Sequence, residues 1–119
     1  MEKVTARELK NKTVKVIIEN PIGSVRKAGW TPYTYNYGFL KDFLNPIDQE
    51  NWDVIIPKEE NLQKDKEVKV KIIGVITQEE GDDNLIGILP GEKINKTELL
   101  RIEEEIRKRG YKNTKLFLF

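Results

Sequence analysis

The segment 68–77, with the sequence VKVKIIGVIT, constrains the fold more strongly than any other part of the chain. In its first half, apolar residues alternate with Lys69 and Lys71, so one face is buried and the other is wet. Alternation with a period of two is typical of a β-strand and not of a helix. We therefore predict a strand here, and the other elements must be compatible with a sheet.

Four further segments are predicted to contain strands. They are short and apolar, rich in β-branched or aromatic residues, and most are followed by turn-forming residues; they are 13–19, 35–40, 52–56 and 85–89. The end of the chain, 114–119, is apolar as well. It is predicted to be either a final strand or an apolar tail docked on the body.

One helix is predicted over residues 96–109. Its apolar residues recur on one face, as expected for an amphipathic helix, and they are Leu99, Ile102 and Ile106. Asn95 is a suitable N-cap, and Glu98 lies at the spacing of a capping box. Gly110 is suited to the position that ends a helix. Together the elements predict a mainly β, α+β fold, namely a small OB-like five-stranded β-barrel with one C-terminal α-helix. The length of 119 residues suits a single domain over 1–119.

The composition excludes several classes of site. The chain has no cysteine and no histidine, which excludes disulfides, Ser-His and Cys-His nucleophilic pairs and zinc sites with histidine ligands. A metal site in this chain must therefore use oxygen ligands. Oxygen ligands favour hard ions such as magnesium, manganese or calcium.

Charge and hydropathy bear on partners and location. The formal net charge is +1, without the basic excess that is typical of nucleic-acid binding, so we expect no nucleic-acid partner. No apolar run approaches the ~20 residues needed to span a bilayer. The segment 1–11 is polar and charged, unlike a secretory signal. We therefore expect a cytoplasmic protein that does not bind membranes.

Three carboxylates, Asp48, Glu50 and Asp53, lie within six residues at the start of the predicted strand 52–56. A loop that leads into a strand can turn several carboxylates toward one point, and such a group suits Mg²⁺. The alternative is an exposed acidic loop with no ligand. The residues around this cluster favour the metal site.

Several motifs follow one another in a particular order. The stretch 18–27 reads IENPIGSVRK, the stretch 33–39 reads YTYNYGF, and the acidic stretch 48–53 reads DQENWD. A Gly-Val strand, an acidic turn at 79–83 and a Tyr-Lys pair after the helix come next. In its motifs and their order, the chain resembles the soluble inorganic pyrophosphatases of the family I type over about residues 14–112.

The resemblance implies a role for each matching residue. The catalytic residues would be Asp48, Glu50, Asp53 and Tyr37. The metal ligands would be Asp48, Glu50, Asp53, Asp83 and Glu19, with Asp82 as an alternative register for Asp83. The phosphate-binding residues would be Lys27, Tyr111 and Lys112.

The function implied by the resemblance is hydrolysis of inorganic pyrophosphate to phosphate, with two metal ions and attack by metal-bound hydroxide. The cofactor would be Mg²⁺, with Mn²⁺ as an alternative, and the partner a small-molecule substrate; a homo-oligomer is left open. The second hypothesis is a non-catalytic module of the same type that binds metal and phosphate, a nucleotide or a protein.

This chain also departs from the family pattern. The middle Asp of the signature is Glu50 and its Pro is Asn51. The segment between Lys27 and Tyr33 is too short for the usual hairpin, which removes a Glu and a phosphate-binding Arg, and no Lys follows Asn84. Loss of one such electrostatic donor can lower a rate by ~100-fold or more. We therefore expect any hydrolysis to be slow.

Overall fold

The computed structural model describes residues 1–57, 61–79 and 83–119. Its elements in chain order are β1 (Glu2–Lys3), a 3₁₀ turn (Arg7–Leu9), β2 (Thr13–Asn20), β3 (Asn36–Leu44), β4 (Asn51–Ile56), β5 (Glu67–Thr77), β6 (Asn84–Ile88), α1 (Lys96–Lys108) and β7 (Lys115–Leu118). Each predicted strand and the predicted helix is present within one to four residues of its expected ends. The end of the chain is a strand and not merely a docked tail.

Within the described residues, five strands close into a barrel. The hydrogen-bonded order is β3-β2-β5-β6-β4, and β4 returns to pair with β3. The β4–β6 pair is parallel, whereas the other pairs of the barrel are antiparallel. Closure removes the free edges that an open sheet would expose. The predicted mainly β barrel with one C-terminal helix is therefore confirmed.

The side chains of the barrel strands divide into two apolar clusters. The first fills the barrel and includes Val16, Ile18, Leu40, Val54 and Ile72. The second lies on the outside of the wall and joins Ile55, Ile76 and Ile86 to the helix residues Leu99, Ile102 and Ile106. Adjacent residues such as Val54 and Ile55 belong to different clusters because successive side chains of a strand point to opposite faces.

The helix α1 begins and ends as its sequence predicts. The Asn95 side chain accepts a hydrogen bond from the Glu98 amide at 3.1 Å. At the other end Gly110 has φ +97°, a left-handed conformation that favours glycine. Across the described residues, no helix is both long and apolar enough to span a membrane.

One buried charge that the sequence pattern did not predict ties the helix to β7. Glu103 accepts a hydrogen bond from the Leu116 amide at 2.6 Å, and its other carboxylate oxygen lies 3.0 Å from Arg107. Arg107 in turn donates to the carbonyl of Thr114 at 2.9 Å. These contacts position the segment after the helix, which contains Tyr111.

The fold makes a prediction about the helix face. Ile102 is fully buried, whereas Leu100 on the same helix is 57% exposed. Ile102→Ala should lower the free energy of unfolding by about 2–5 kcal/mol, since it removes buried methyl groups and leaves a cavity. Leu100→Ala is the matched control and should change it by less than about 0.5 kcal/mol. Denaturant titration measures both, and equal losses would contradict the packing described here.

Candidate functional site

A cavity of about 650 Å³ lies on the outer face of the barrel, below the C-terminal end of α1. Its walls come from β2, β3, β4 and β6, from the loops before β3, β4 and β6, and from the residues at and after the end of the helix. The residues that line it are Glu19, Arg26, Trp30, Tyr33, Tyr35, Tyr37, Phe39, Asp48, Gln49, Glu50, Asn51, Asp53, Ile55, Gln78, Asn84, Ile106, Arg109 and Tyr111.

In the Asn-Tyr-Gly stretch of β3, only the middle residue faces this cavity, and the other two serve the packing of β3. Asn36 is buried, and its side-chain oxygen accepts hydrogen bonds from the amides of Ile22 and Leu62, which hold two loops against β3. At Gly38, an added Cβ would lie 2.2 Å from the carbonyl oxygen of Ile17, so only glycine permits this approach of β3 to β2. Tyr37, between them, faces the cavity.

Asp53 lies beside Tyr37 on the same outer face. The Tyr37 hydroxyl donates a hydrogen bond to the Asp53 carboxylate. The pKa of Asp53 is raised to about 6, chiefly by burial and also by the charges of Glu19 and Asp48, while the Tyr37 hydrogen bond and the charge of Arg26 act in the opposite direction. Burial and the neighbouring Asp53 raise the pKa of Tyr37 well above its ordinary value, so the tyrosine keeps its proton and remains a donor.

The other two signature carboxylates belong to the turn between β3 and β4. Asn45 closes this turn, because its amide donates to the Glu50 carbonyl at 2.8 Å and its carbonyl accepts from the Gln49 amide at 2.8 Å. An oxygen of Asp48 accepts a hydrogen bond from the Glu50 amide at 3.0 Å. Gln49 has φ +60°, the strained point of the turn. Asp48 therefore shapes its own loop as well as lining the cavity.

Four carboxylates thus reach one cavity, and they are Glu19, Asp48, Glu50 and Asp53. Their chemistry suits a hard divalent cation, since all donors are oxygens and the raised pKa of Asp53 reflects, besides burial, the repulsion of its neighbours. They are not arranged as a finished ligand set. Across residues 1–57, 61–79 and 83–119, no three acidic side chains are grouped closely enough to hold an ion.

The loop between β2 and β3 brings a cation to the cavity. Arg26, and not Lys27, is a lining residue, and it donates a hydrogen bond to Tyr33. The loop that carries both is held at its base by two backbone hydrogen bonds, from Gly23 to Tyr33 at 2.8 Å and from Tyr33 to Ser24 at 3.0 Å. Adjacent loop residues point different ways, and no periodicity in the sequence indicates which one faces the site.

Arg109 is a second cation of the cavity, and the sequence analysis did not assign it to the site. Its guanidinium lies 5.1 Å from the Tyr33 ring centroid and donates to the carbonyl of Thr31 at 3.2 Å. It also lies 3.4 Å from a carboxylate oxygen of Glu105. Its Nε is buried without a hydrogen-bond partner in the described structure. The sequence feature that could have pointed to Arg109 is its position directly before Gly110, where the chain turns back across the cavity.

The remaining predicted residues divide between the cavity and its surroundings. Tyr111 lines the cavity, but Lys27 and Lys112 do not. Asp83 also lies outside the lining and accepts a hydrogen bond from the Gln78 amide at 3.3 Å, while Asp82 is outside the described residues. Six predicted residues therefore share one cavity, and these are Glu19, Tyr37, Asp48, Glu50, Asp53 and Tyr111. Their catalytic, metal-binding and substrate-binding roles stay predictions.

Comparison with known proteins finds the same architecture among solved structures but no match by sequence. No family model matches the chain, and no curated protein matches it by sequence. Solved structures do match it over most of its length. An inorganic pyrophosphatase from Ehrlichia chaffeensis has a TM-score of 0.69 at 16% identity, over 83% of this chain and 81% of that one.

Two further matches agree with the first. The inorganic pyrophosphatase of Helicobacter pylori has a TM-score of 0.66 at 22% identity, over 92% of this chain and 84% of the other. That of Thermus thermophilus has a TM-score of 0.65 at 18% identity, over 89% and 80%. The resemblance found in the sequence is confirmed at the level of the fold: the chain is a divergent example of the inorganic pyrophosphatase fold.

Proposed function

We propose that this protein hydrolyses inorganic pyrophosphate to phosphate with the help of Mg²⁺ or Mn²⁺. The observation that carries the proposal is the cavity itself, in which Glu19, Asp48, Glu50 and Asp53 face the same space as Arg26. Carboxylates recruit cations and a guanidinium recruits phosphate, so a site with both suits a metal-phosphate substrate. The shared fold with inorganic pyrophosphatases supports the same reaction.

The four carboxylates would hold the cations. Mg²⁺ binds through a few carboxylate oxygens and retains several waters, so it does not require a closed cage of protein ligands. Bound there, it would supply charge neutralisation and an acidified water. This requirement is compatible with carboxylates that line one cavity without forming a compact group.

Residues of the chain itself supply the rest. Above pH 6 Asp53 is ionised and available to accept a proton or a hydrogen bond from water. Tyr37 fixes the orientation of that carboxylate through its hydroxyl. Arg26 and Tyr111 would hold the phosphates through hydrogen bonds, which are stronger when one partner is charged.

The reaction is expected to be slow. Lys27 and Lys112 lie outside the cavity lining, and the family's hairpin Arg and the Lys after Asn84 are missing from the sequence. Fewer cations then face the leaving phosphate. Stabilisation of the charge that develops on a leaving group is often the largest single contribution to such a rate.

A second candidate function is binding without catalysis. The observation in its favour is that no three acidic side chains of the described residues group closely enough for an ion. A protein with this arrangement could retain phosphate through Arg26 and Tyr111 but fail to activate water. Activity and binding therefore have to be measured separately.

The first prediction from this proposal concerns activity. Purified protein should release phosphate from pyrophosphate only when Mg²⁺ is present, and Asp53→Asn should lower the rate by about 100-fold or more. The matched control is Asp42→Asn, which alters an exposed carboxylate of β3 outside the cavity and should leave the rate unchanged. If wild-type protein releases no phosphate above background yet binds pyrophosphate, the binding function replaces hydrolysis.

The second prediction concerns the metal. Mg²⁺ or Mn²⁺ at millimolar concentration should raise the melting temperature, because a ligand that binds only the native state stabilises it. Asp53→Asn should reduce this shift and Asp42→Asn should not. Differential scanning fluorimetry measures both shifts. Equal shifts in the two variants would place the ion away from the cavity.

The third prediction concerns pH dependence of the metal-free protein. The folded pKa of Asp53 is about 6 against an ordinary value of 3.8, so between these values the folded chain binds more protons than the unfolded chain. The free energy of unfolding therefore falls as pH rises from about 4 to about 6, and above that range this group changes it no further. Its size is on the order of 2 kcal/mol after allowance for solvent screening.

Asp53→Asn removes the charge and should raise the melting temperature of metal-free protein at about pH 8 by several degrees. Near pH 4 the variant and the wild type should melt at similar temperatures, since Asp53 is then mostly neutral in both states. Thermal melts across this pH range in the presence of a chelator provide the measurement. A variant that is less stable at every pH would contradict the burial-driven shift.

A further inference from the structure

Trp30 occupies a position that pyrophosphate hydrolysis does not explain. It lines the large cavity and also a second, smaller cavity of about 220 Å³, which it shares with Gly29, Thr31, Lys108 and Arg109. The indole therefore borders both spaces. It is only partly buried, which leaves part of its surface available for contact.

The backbone holds Trp30 in this position. Its amide donates to the Lys27 carbonyl at 3.0 Å, within a turn that uses Gly29 at φ +85°. Arg109 holds the next residue from the opposite side through its bond to the Thr31 carbonyl at 3.2 Å. The backbone that carries the indole is thus held before any ligand arrives, which lowers the entropy cost of binding against it.

The cavity is also large and aromatic for a substrate made of two phosphate groups. Its volume of about 650 Å³ falls in the range of ~300–1,000 Å³ typical of sites for organic ligands. Besides Trp30, its lining includes the aromatic residues Tyr33 and Phe39. The carboxylates, through a cation, and Arg26 can bind a diphosphate, whereas pyrophosphate has no group that would pack on the aromatic surface.

We propose that the site accepts a nucleoside diphosphate, with its diphosphate among the carboxylates and Arg26 and its base against Trp30. This inference rests on the proposed function, because it assigns a substrate class to the same site. Aromatic side chains bind bases by stacking and tolerate different bases. Lys108 and Arg109, beside the second cavity, provide positive charge near the sugar.

Two cations already lie near the indole. The Lys27 ammonium is 5.0 Å and the Arg109 guanidinium 6.0 Å from its centroid. Such contacts show that the ring face attracts positive and polarisable groups. Lys27 is exposed, so a base can displace its ammonium from the ring.

The reaction on this substrate is the hydrolysis of its one phosphoanhydride bond. The oxygen of water bonds to the terminal phosphorus, and the bond from that phosphorus to the bridging oxygen breaks. The bridging oxygen stays on the nucleoside monophosphate, and inorganic phosphate is the other product. The proton released from water passes to solvent, and no oxidant or reductant is needed.

The two tryptophans make a direct binding test. Trp52 is only 3% exposed and its indole donates to the Val4 carbonyl at 2.7 Å, so a ligand in the cavity does not reach it. The probe is α,β-methylene-ADP with Mg²⁺, which cannot be hydrolysed at the bridging position. It should quench tryptophan emission in a saturable manner, and methylenediphosphonate, which has no base, should quench it much less.

Trp30→Leu supplies the second readout. The variant should show no quenching, and unchanged Trp52 emission verifies that it is folded. By calorimetry its affinity for α,β-methylene-ADP, relative to methylenediphosphonate, should fall by about tenfold, the value of one stacked base. The matched control is Phe117→Leu, an exposed aromatic of β7 outside the cavity, which should leave this ratio unchanged.

The outcomes separate this inference from the proposed function. Phosphate release from pyrophosphate with equal affinity of both analogues, and no effect of Trp30→Leu on their ratio, overturns the nucleotide inference alone. Saturable quenching by the nucleotide analogue with the expected loss in Trp30→Leu supports it, even if pyrophosphate is not hydrolysed. In that case it is the proposed pyrophosphatase activity that fails.

Discussion

The alternation of side chains across the barrel wall determines both the core and the cavity. On β4, Val54 points into the barrel while Asp53 and Ile55 point outward, and Ile55 packs under the helix. On β3, Gly38 and Leu40 face inward and Tyr37 faces outward. A shift of one residue in β4 would bury Asp53 in the barrel and turn Val54 outward. The position of the acidic site is thus fixed by the same hydrophobic pattern that fixes the fold.

This dependence explains why much of the molecule could be predicted from sequence. The strands and the helix carry periodic patterns, and Asn95, Glu98 and Gly110 have local chemistry that does not depend on distant residues. Asp53 could be singled out because it belongs to an acidic cluster at the start of a predicted strand. The Asn-Tyr-Gly stretch could be recognised, although only the structure separates the structural roles of Asn36 and Gly38 from the exposure of Tyr37 to the cavity.

Sequence patterns give no guidance on side-chain direction where no period applies. Arg26 and Lys27 are neighbours in a loop closed by backbone hydrogen bonds between Gly23, Ser24 and Tyr33, and the choice between them depends on the path of that loop. Lys112 follows Tyr111 directly, yet only Tyr111 reaches the cavity. Glu103 lies on the helix, where a charged residue predicts exposure, but a long-range bond to the Leu116 amide buries it. The direction of each of these side chains depends on tertiary contacts that cannot be read from the sequence.

The site contains a carboxylate that is unfavourable for folding and an aromatic side chain carried by a short loop. Asp53 is buried near Glu19 and Asp48, which destabilises its ionised form, and nothing in barrel packing requires a carboxylate there. The short loop 24–33 brings Trp30 and Arg26 to the same cavity. Carboxylates that attract a cation and aromatic side chains that can pack on an organic group therefore line one space. The proposed nucleoside diphosphate would satisfy both, so the short loop would bear on substrate choice as well as on rate.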